Sequence, residues 1–166
     1  KDTKTGYLMF EVHYYDPYQY TLMYEEQDWG AGEMIIPQYY YGDYRKAGEP
    51  KRNAGYNAWA KSVDEKLASI EHTNEQFAKM KSNYVEKGYP VLIGEFGAMT
   101  KGNNLQDRVD WAAWYVDSAA IRGIPCVWWD NGAFTGSGEL FGLIDRRTCQ
   151  WKYEPIVNAI MKYAMQ

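Results

Sequence analysis

The stretch from Val91 to Met99, VLIGEFGAM, constrains the fold most strongly, because an apolar run passes directly into an acid that lies between two glycines. Its first three residues are apolar and mostly β-branched, which predicts a parallel strand that is covered on both faces. A carboxylate at the end of such a strand is costly unless it has a partner or a task there. Glu95 is therefore a candidate functional acid at the mouth of a sheet, and pairing with an arginine elsewhere in the chain explains it equally well.

The composition predicts one globular domain over residues 1–166, with 46% hydrophobic and 24% charged residues. The net charge of -4 is small and no run of like charges stands out, which argues against nucleic acid or a membrane surface as a partner. No apolar run is long enough to cross a bilayer. No signal peptide opens the chain, although a mature secreted protein would have lost one.

Two side-chain classes are informative. Cys126 and Cys149 do not make a disulfide framework, and the apolar surroundings of Cys126 predict a buried free thiol. The aromatic content of 17% is high. Tyr and Trp rings can stack on sugar rings while their polar edges bind hydroxyl groups, and they are equally ordinary core residues.

The segment YLMFEVHYY at positions 7–15 alternates in a way that predicts a strand with two unlike faces. The polar face suits the interior of a barrel or cleft better than a surface that packs against helices. A single His on a strand is more often structural, but a Tyr on the same face raises the interest of this one. The apolar face carries Leu8, Phe10 and Val12, and the other face carries Met9, Glu11, His13 and Tyr15.

The rest of the chain predicts repeated strand, loop and helix units, which are typical of an α/β protein with a parallel sheet. Residues 17–57 are rich in Tyr and are expected to form an ordered binding loop, in which Trp29 either stacks on a ligand or packs on the loop itself. The remaining predicted elements are a helix from Thr73 to Lys87 with a capping box, a helix with Asp107 as its N-cap, a strand from Ile124 to Asp130 and a final helix that Pro155 opens.

The distinctive polar and aromatic side chains all fall at the carboxyl ends of the three predicted strands. In α/β barrels this is the end that carries the chemistry. A His and a Tyr beside a carboxylate could orient it, and a Trp could form a floor for a sugar ring. The residues concerned are His13, Tyr15, Glu95, Trp128 and Trp129.

Three motifs in this order, VHYYDP at 12–17, IGEFG at 93–97 and WWDNG at 128–132, resemble the last three barrel strands of glycoside hydrolase family 5. The closing segment GLIDRRTCQWKYEPIVNAI is similar as well. The closest resemblance is to the endo-β-1,4-glucanase branch, which acts on β-1,4-glucans and xyloglucan. The resemblance implies that residues 1–166 are the C-terminal part of one catalytic domain, about strands 6 to 8 of a (β/α)8 TIM barrel with their helices.

The same resemblance implies roles for individual residues. Glu95 corresponds to the nucleophile, and His13 and Tyr15 correspond to the H-x-Y pair that supports it and the bound sugar. Trp129, with Trp128 as the alternative, corresponds to the aromatic platform at the cleavage point. Asn131 is expected to line the same cleft, and no metal or cofactor is expected.

One departure from the family pattern limits what the chain can do alone. The family's acid/base glutamate lies in an Asn-Glu-Pro motif, which is absent from this sequence, and neither Gly48-Glu49-Pro50 nor Tyr153-Glu154-Pro155 is a convincing substitute. Retaining glycosidases need two carboxyl groups about 5 Å apart.

In view of the resemblance we therefore expect the nucleophile half of a retaining endo-β-1,4-glucanase, of bacterial origin and secreted or held at the cell surface. The N-terminal portion of the same enzyme would supply the acid/base Glu, and a second copy of this chain is the other conceivable cover. Because three βα units cannot close a barrel, the face carrying Met9, Glu11 and Val91 is expected to lie against water until a partner covers it. The alternative is a non-catalytic carbohydrate-binding or structural fragment.

Overall fold

The structure is a computed structural model that describes residues 8–16, 18–22, 70–100, 104–136 and 138–164. The predicted binding loop, with Trp29 and Gly48-Glu49-Pro50, lies outside the described residues.

The described part of the chain is built on a three-stranded parallel sheet. Its strands are β1 (Phe10–His13), β2 (Val91–Phe96) and β3 (Cys126–Trp128), and they lie in the order β1-β2-β3. The predicted parallel arrangement is confirmed. Strands β1 and β3 are shorter than predicted, because each pairs with β2 over only a few residues.

Helices connect and cover these strands. They are α1 (Tyr18–Thr21), α2 (Ile70–Asn83), α3 (Leu105–Ala120) and α4 (Glu154–Ala164), and a 3-10 turn at Val85–Lys87 follows α2. An antiparallel hairpin of β4 (Ile144–Asp145) and β5 (Gln150–Trp151), which the sequence did not predict, precedes α4. None of the helices in these ranges combines the length and the apolar character that a membrane span needs.

Two predicted helix starts are wrong. Helix α2 already contains Ile70, so Thr73 lies buried inside its first turn and is not the N-cap. Helix α3 has Asn104 at its N-cap, and the side-chain amide of Asn104 donates to the Met99 carbonyl at 2.9 Å. Asp107 therefore lies in the first turn, where an acid is favourable beside the positive end of the helix dipole. Pro155 lies in the first turn of α4, as predicted.

The core lies between the sheet and helices α2 and α3. Phe96 at the end of β2 stacks on Tyr115 of α3 with ring centroids 4.6 Å apart and planes 7° apart. Trp111, one turn earlier on α3, packs against the same Phe96 ring at 5.9 Å. All three side chains are buried, so the end of β2 is held firmly against α3.

The opposite face of the sheet is exposed, but it does not include Val91 as predicted. Val91 pairs with Phe10 on the core side and is 1% exposed, whereas Met9 is 55% exposed. Counting alternate residues back from Glu95 puts Val91 on the outer face. The β1–β2 register shifts by one residue at Gly94, however, and this shift reverses the alternation within β2.

The absence of a disulfide between the cysteines of the described residues agrees with the prediction, but Cys126 is partly rather than fully buried. Cys126 and Cys149 are both free thiols. Burial raises the pKa of the Cys126 thiol to about 12, so this thiol is protonated at neutral pH and unreactive.

Candidate active site

Glu95 is the centre of the candidate site, and the register shift determines which way it faces. Val12 pairs with Ile93, but His13 pairs with Glu95, so Gly94 is the extra residue of β2. The shift turns Glu95 away from the buried side and towards His13, and its side chain is 25% exposed. The Tyr14 amide donates to the Glu95 carbonyl at 3.0 Å and extends the pairing beyond the shift.

Gly94 also makes room for an acid from β1. A Cβ atom at this position would lie 2.0 Å from Oε1 of Glu11. A larger residue at 94 would therefore displace the Glu11 side chain.

Two side chains from the end of β1 meet one oxygen of Glu95. The Tyr15 hydroxyl donates to Oε2 at 3.1 Å, and Nδ1 of His13 lies 3.3 Å from the same atom. Within the described part of the chain no side chain donates to Oε1 of Glu95. The predicted trio of His13, Tyr15 and Glu95 is thus brought together, with one carboxylate oxygen held and the other open.

Tyr15 remains a hydrogen-bond donor over the whole neutral range. Burial raises its pKa well above the ordinary value for a phenol, and the hydrogen bond to Glu95 and the charge of that carboxylate raise it further. The charge of Glu139 acts in the same direction. Glu139 is an exposed residue near the site that the sequence reading did not single out.

His13 lies between two carboxylates. Its Nε2 atom is 3.6 Å from Oε1 of Glu11, and its Nδ1 atom faces Glu95. A neutral imidazole carries one N–H and can donate to only one of the two, whereas an imidazolium can donate to both. Glu11 lies on the face that a partner is expected to cover, and its contact among the described residues is with His13.

The two tryptophans at the end of β3 have different surroundings. Trp128 pairs with Phe96 in the sheet, its ring packs 5.4 Å from the Phe96 ring, and its Nε1 donates to the Phe141 carbonyl at 3.0 Å. Trp129 is 39% exposed, and its backbone amide donates to the Phe96 carbonyl at 2.8 Å. Because neighbouring side chains of a strand point to opposite faces, continuation of this alternation past the end of β3 predicts that Trp129 points away from Trp128 and the core.

The loop after Trp129 is organised by Asp130, a residue that the sequence reading passed over. Its carboxylate accepts hydrogen bonds from the backbone amides of Gly132, Leu143 and Ile144 at 2.7, 2.9 and 3.2 Å. It also pairs with Arg146 at 3.3 Å. The signal was present in the D-N-G sequence, because an Asp before a glycine with φ of 75° favours a turn closed by the Asp side chain.

The side chain of Asn131 also forms hydrogen bonds within this loop. Its amide nitrogen donates to the Glu139 carbonyl at 2.7 Å, and its side-chain oxygen accepts from the Ala133 amide at 3.0 Å. These contacts give Asn131 a part in shaping the loop, and its predicted contact with substrate remains a prediction.

A buried arginine supports the loop that follows β2. Arg108 on α3 donates from Nε to the Ala98 carbonyl at 2.9 Å and from Nη1 to the Thr100 hydroxyl at 2.8 Å. Its guanidinium lies 4.7 Å from the Tyr153 ring centroid and 5.9 Å from that of Trp128. Burial lowers the pKa of Arg108 to about 10, so the group is still charged at neutral pH. Little in the sequence indicates this role, since an Arg on a helix is usually exposed.

Among the described residues no group of three or more His, Cys, Asp or Glu side chains could hold a metal ion. The arrangement at Glu95 offers a carboxylate with one oxygen, Oε2, supported by Tyr15 and His13. Trp29, the remaining predicted site residue, lies in the part of the chain that the structure does not describe.

Comparison with known proteins identifies the family. The sequence model of the cellulase family, glycosyl hydrolase family 5, matches residues 1–135. Endoglucanase A of Ruminococcus albus is 42% identical over 107 residues, which cover 64% of this chain and 28% of that protein.

Solved structures agree with this assignment. A mutant of the glycoside hydrolase 5 lichenase from Caldicellulosiruptor sp. F32, in complex with cellotetraose, superimposes with a TM-score of 0.73 and 37% identity, over 99% of this chain and 37% of that chain. A family 5 xyloglucanase from Paenibacillus pabuli, in complex with a ligand, gives a TM-score of 0.72 and 25% identity, over 99% and 40% of the two chains. The chain thus spans well under half the length of these relatives. The family match over more than half of the sequence shows that this chain belongs to glycosyl hydrolase family 5, a family of (β/α)8 barrels.

Proposed function

We propose that this chain is the nucleophile half of a retaining endo-β-1,4-glucanase, and that Glu95 is the nucleophile. The observation that carries the proposal is the convergence of Tyr15 and His13 on one oxygen of Glu95. A nucleophilic carboxylate needs one oxygen held in place and the other directed at the reacting carbon. The relatives named endoglucanase, lichenase and xyloglucanase support a glucan as the substrate.

The proposed reaction has two steps. In the first, Oε1 of Glu95 attacks the anomeric carbon while a second carboxylic acid protonates the departing glycosidic oxygen, and a covalent glycosyl-enzyme forms. In the second, the same acid, now a carboxylate, removes a proton from water, which attacks the anomeric carbon and releases Glu95. The Tyr15 hydroxyl stays protonated and holds Oε2 through both steps.

The sugar at the cleavage point is proposed to stack on Trp129. This ring is exposed and directly follows β3, the strand that pairs with β2. An aromatic face suits the apolar face of a glucose ring, while the hydroxyls around the rim can bind polar groups. We take β-1,4-glucan as the substrate class.

The second carboxylic acid is proposed to come from the N-terminal portion of the same enzyme. The outer face of the sheet is exposed at Met9 and Val127, and Phe10 is also exposed on β1, the outermost strand among the described residues. Apolar surface costs about 25 cal/mol per Å² when it is left in water. A barrel in which this chain supplies about strands 6 to 8 would cover that face and bring the missing acid opposite Glu95. Secretion of the complete enzyme is part of this proposal, since its substrate is a polymer outside the cell.

A non-catalytic carbohydrate-binding fragment is the second candidate. The absence of an Asn-Glu-Pro motif from the sequence favours it, because an aromatic platform could bind glucan without a second carboxylate.

Glu95→Gln in the complete enzyme should abolish turnover of soluble β-glucan and leave binding of cellotetraose largely intact, because the amide keeps the shape of the carboxylate but does not attack. Calorimetry and reducing-sugar assays measure the two effects. Glu95→Ala with added azide should form an α-glycosyl azide, since the small anion enters from the side of the missing carboxylate. Full activity in the Gln variant would contradict the proposal.

Trp129→Ala, made in the Glu95→Gln background, should weaken cellotetraose binding by about 1 kcal/mol, the size of one stacking contact. Trp128→Ala should instead lower the free energy of unfolding by about 3 kcal/mol, because it removes a ring packed against Phe96. Calorimetry and thermal unfolding separate the two. The reverse result would mean that Trp128 stacks on the sugar and that Trp129 serves the packing of the fold.

Residues 1–166 alone should show no glucanase activity, because the acid/base carboxylate is not in the chain. Addition of the separately produced N-terminal portion should restore activity and form a 1:1 complex in sedimentation. A folded monomer with full activity would show that a second catalytic carboxylate lies within residues 1–166. The Glu95→Gln version of this chain serves as the matched control for the mixing experiment.

A further inference from the structure

Thr21 is a buried residue that joins the two strand ends of the candidate site. It is the last residue of the short helix α1, and it is 0% exposed. Its hydroxyl donates to the carbonyl of Tyr15. Its own carbonyl accepts the amide of Met99 at 2.9 Å.

These contacts connect Tyr15 to the end of β2 by two separate routes. On one side the Tyr15 phenol reaches Oε2 of Glu95. On the other side the backbone of Tyr15 is tied to Thr21, and Thr21 is tied to Met99, which lies shortly after Glu95 in the chain. The position of the phenol relative to the carboxylate is therefore determined from both ends.

Helix α1 is itself fixed to the core, so Thr21 is not free to follow Tyr15. The neighbouring Tyr20 is buried, and its ring packs against Trp111 with centroids 5.7 Å apart. Trp111 also contacts Phe96, the residue after Glu95. The support for Tyr15 and the support for Glu95 thus rest on one cluster of rings.

We infer that Thr21 is a positioning residue for the nucleophile, which acts through Tyr15 and touches neither substrate nor the reacting atoms. This inference rests on the proposed role of Glu95. Loss of the hydroxyl leaves the Tyr15 carbonyl without its donor and lets the end of β1 shift, which lengthens the bond from the phenol to Oε2. Trp129 follows the end of β3 and lies outside this set of contacts, so sugar binding should be preserved.

The test is made in the complete enzyme with Thr21→Val, which removes the hydroxyl at nearly constant shape, and Thr21→Ser, which keeps it. Thr21→Val should lower kcat by about 10-fold to 100-fold, since small misplacements of catalytic groups have effects of this size, and should leave KM within about 2-fold of the parent value. Thr21→Ser should restore most of kcat. Titration of active sites with a slow fluoroglycoside normalises each rate to the competent fraction, so a less stable variant still gives a usable rate.

A double-mutant cycle with Tyr15→Phe shows whether the effect passes through the phenol. If it does, Thr21→Val should cause little further loss in the Tyr15→Phe background. Equal losses in both backgrounds, an unchanged kcat in Thr21→Val, or failure of Thr21→Ser to restore the rate would each overturn the inference. An active Glu95→Gln enzyme would instead overturn the proposed function, so the two failures are distinguishable.

Discussion

The pairing of β1 with β2, with its shift at Gly94, is the constraint on which the site depends. A regular register would place His13 beside Gly94 and would turn Glu95 into the core with Val91 and Ile93. The shift lets Phe96 stay in the core and lets Glu95 face the other way. One extra residue in a strand thus converts a buried position into a half-exposed carboxylate beside its two partners.

The surrounding structure holds this arrangement from the core side. Phe96 is stacked on Tyr115, and the Tyr115 hydroxyl donates to the Tyr14 carbonyl at 3.0 Å. Arg108 binds the loop after β2, and Asp130 gathers the loop after β3. Each strand end therefore has its own buried polar anchor. Such anchors are costly to leave unpaired, which makes the positions of the site side chains well determined.

The sequence predicted those features that follow from local pattern. Alternation along residues 7–15 put His13 and Tyr15 on one face, and the rule that parallel strands end at one edge brought them to Glu95. The alternation rule predicted the wrong face for Val91, because the register shift depends on how β2 pairs with β1. Its only sign in the sequence is the glycine at position 94. The helix starts at Thr73 and Asp107 were wrong because good capping residues also occur in first turns. Arg108, Asp130 and Thr21 were missed, since their importance comes from contacts with distant carbonyl and amide groups.

The central claim is that Oε1 of Glu95 forms a covalent bond with the sugar. The most direct measurement is to treat the complete enzyme with a 2-deoxy-2-fluoro-β-cellobioside, whose glycosyl-enzyme turns over slowly, and to locate the label by peptide mass mapping. One label per active site is expected, on Glu95, with no label in Glu95→Gln. A label on another carboxylate such as Glu139, or hydrolysis without any covalent adduct, would contradict it.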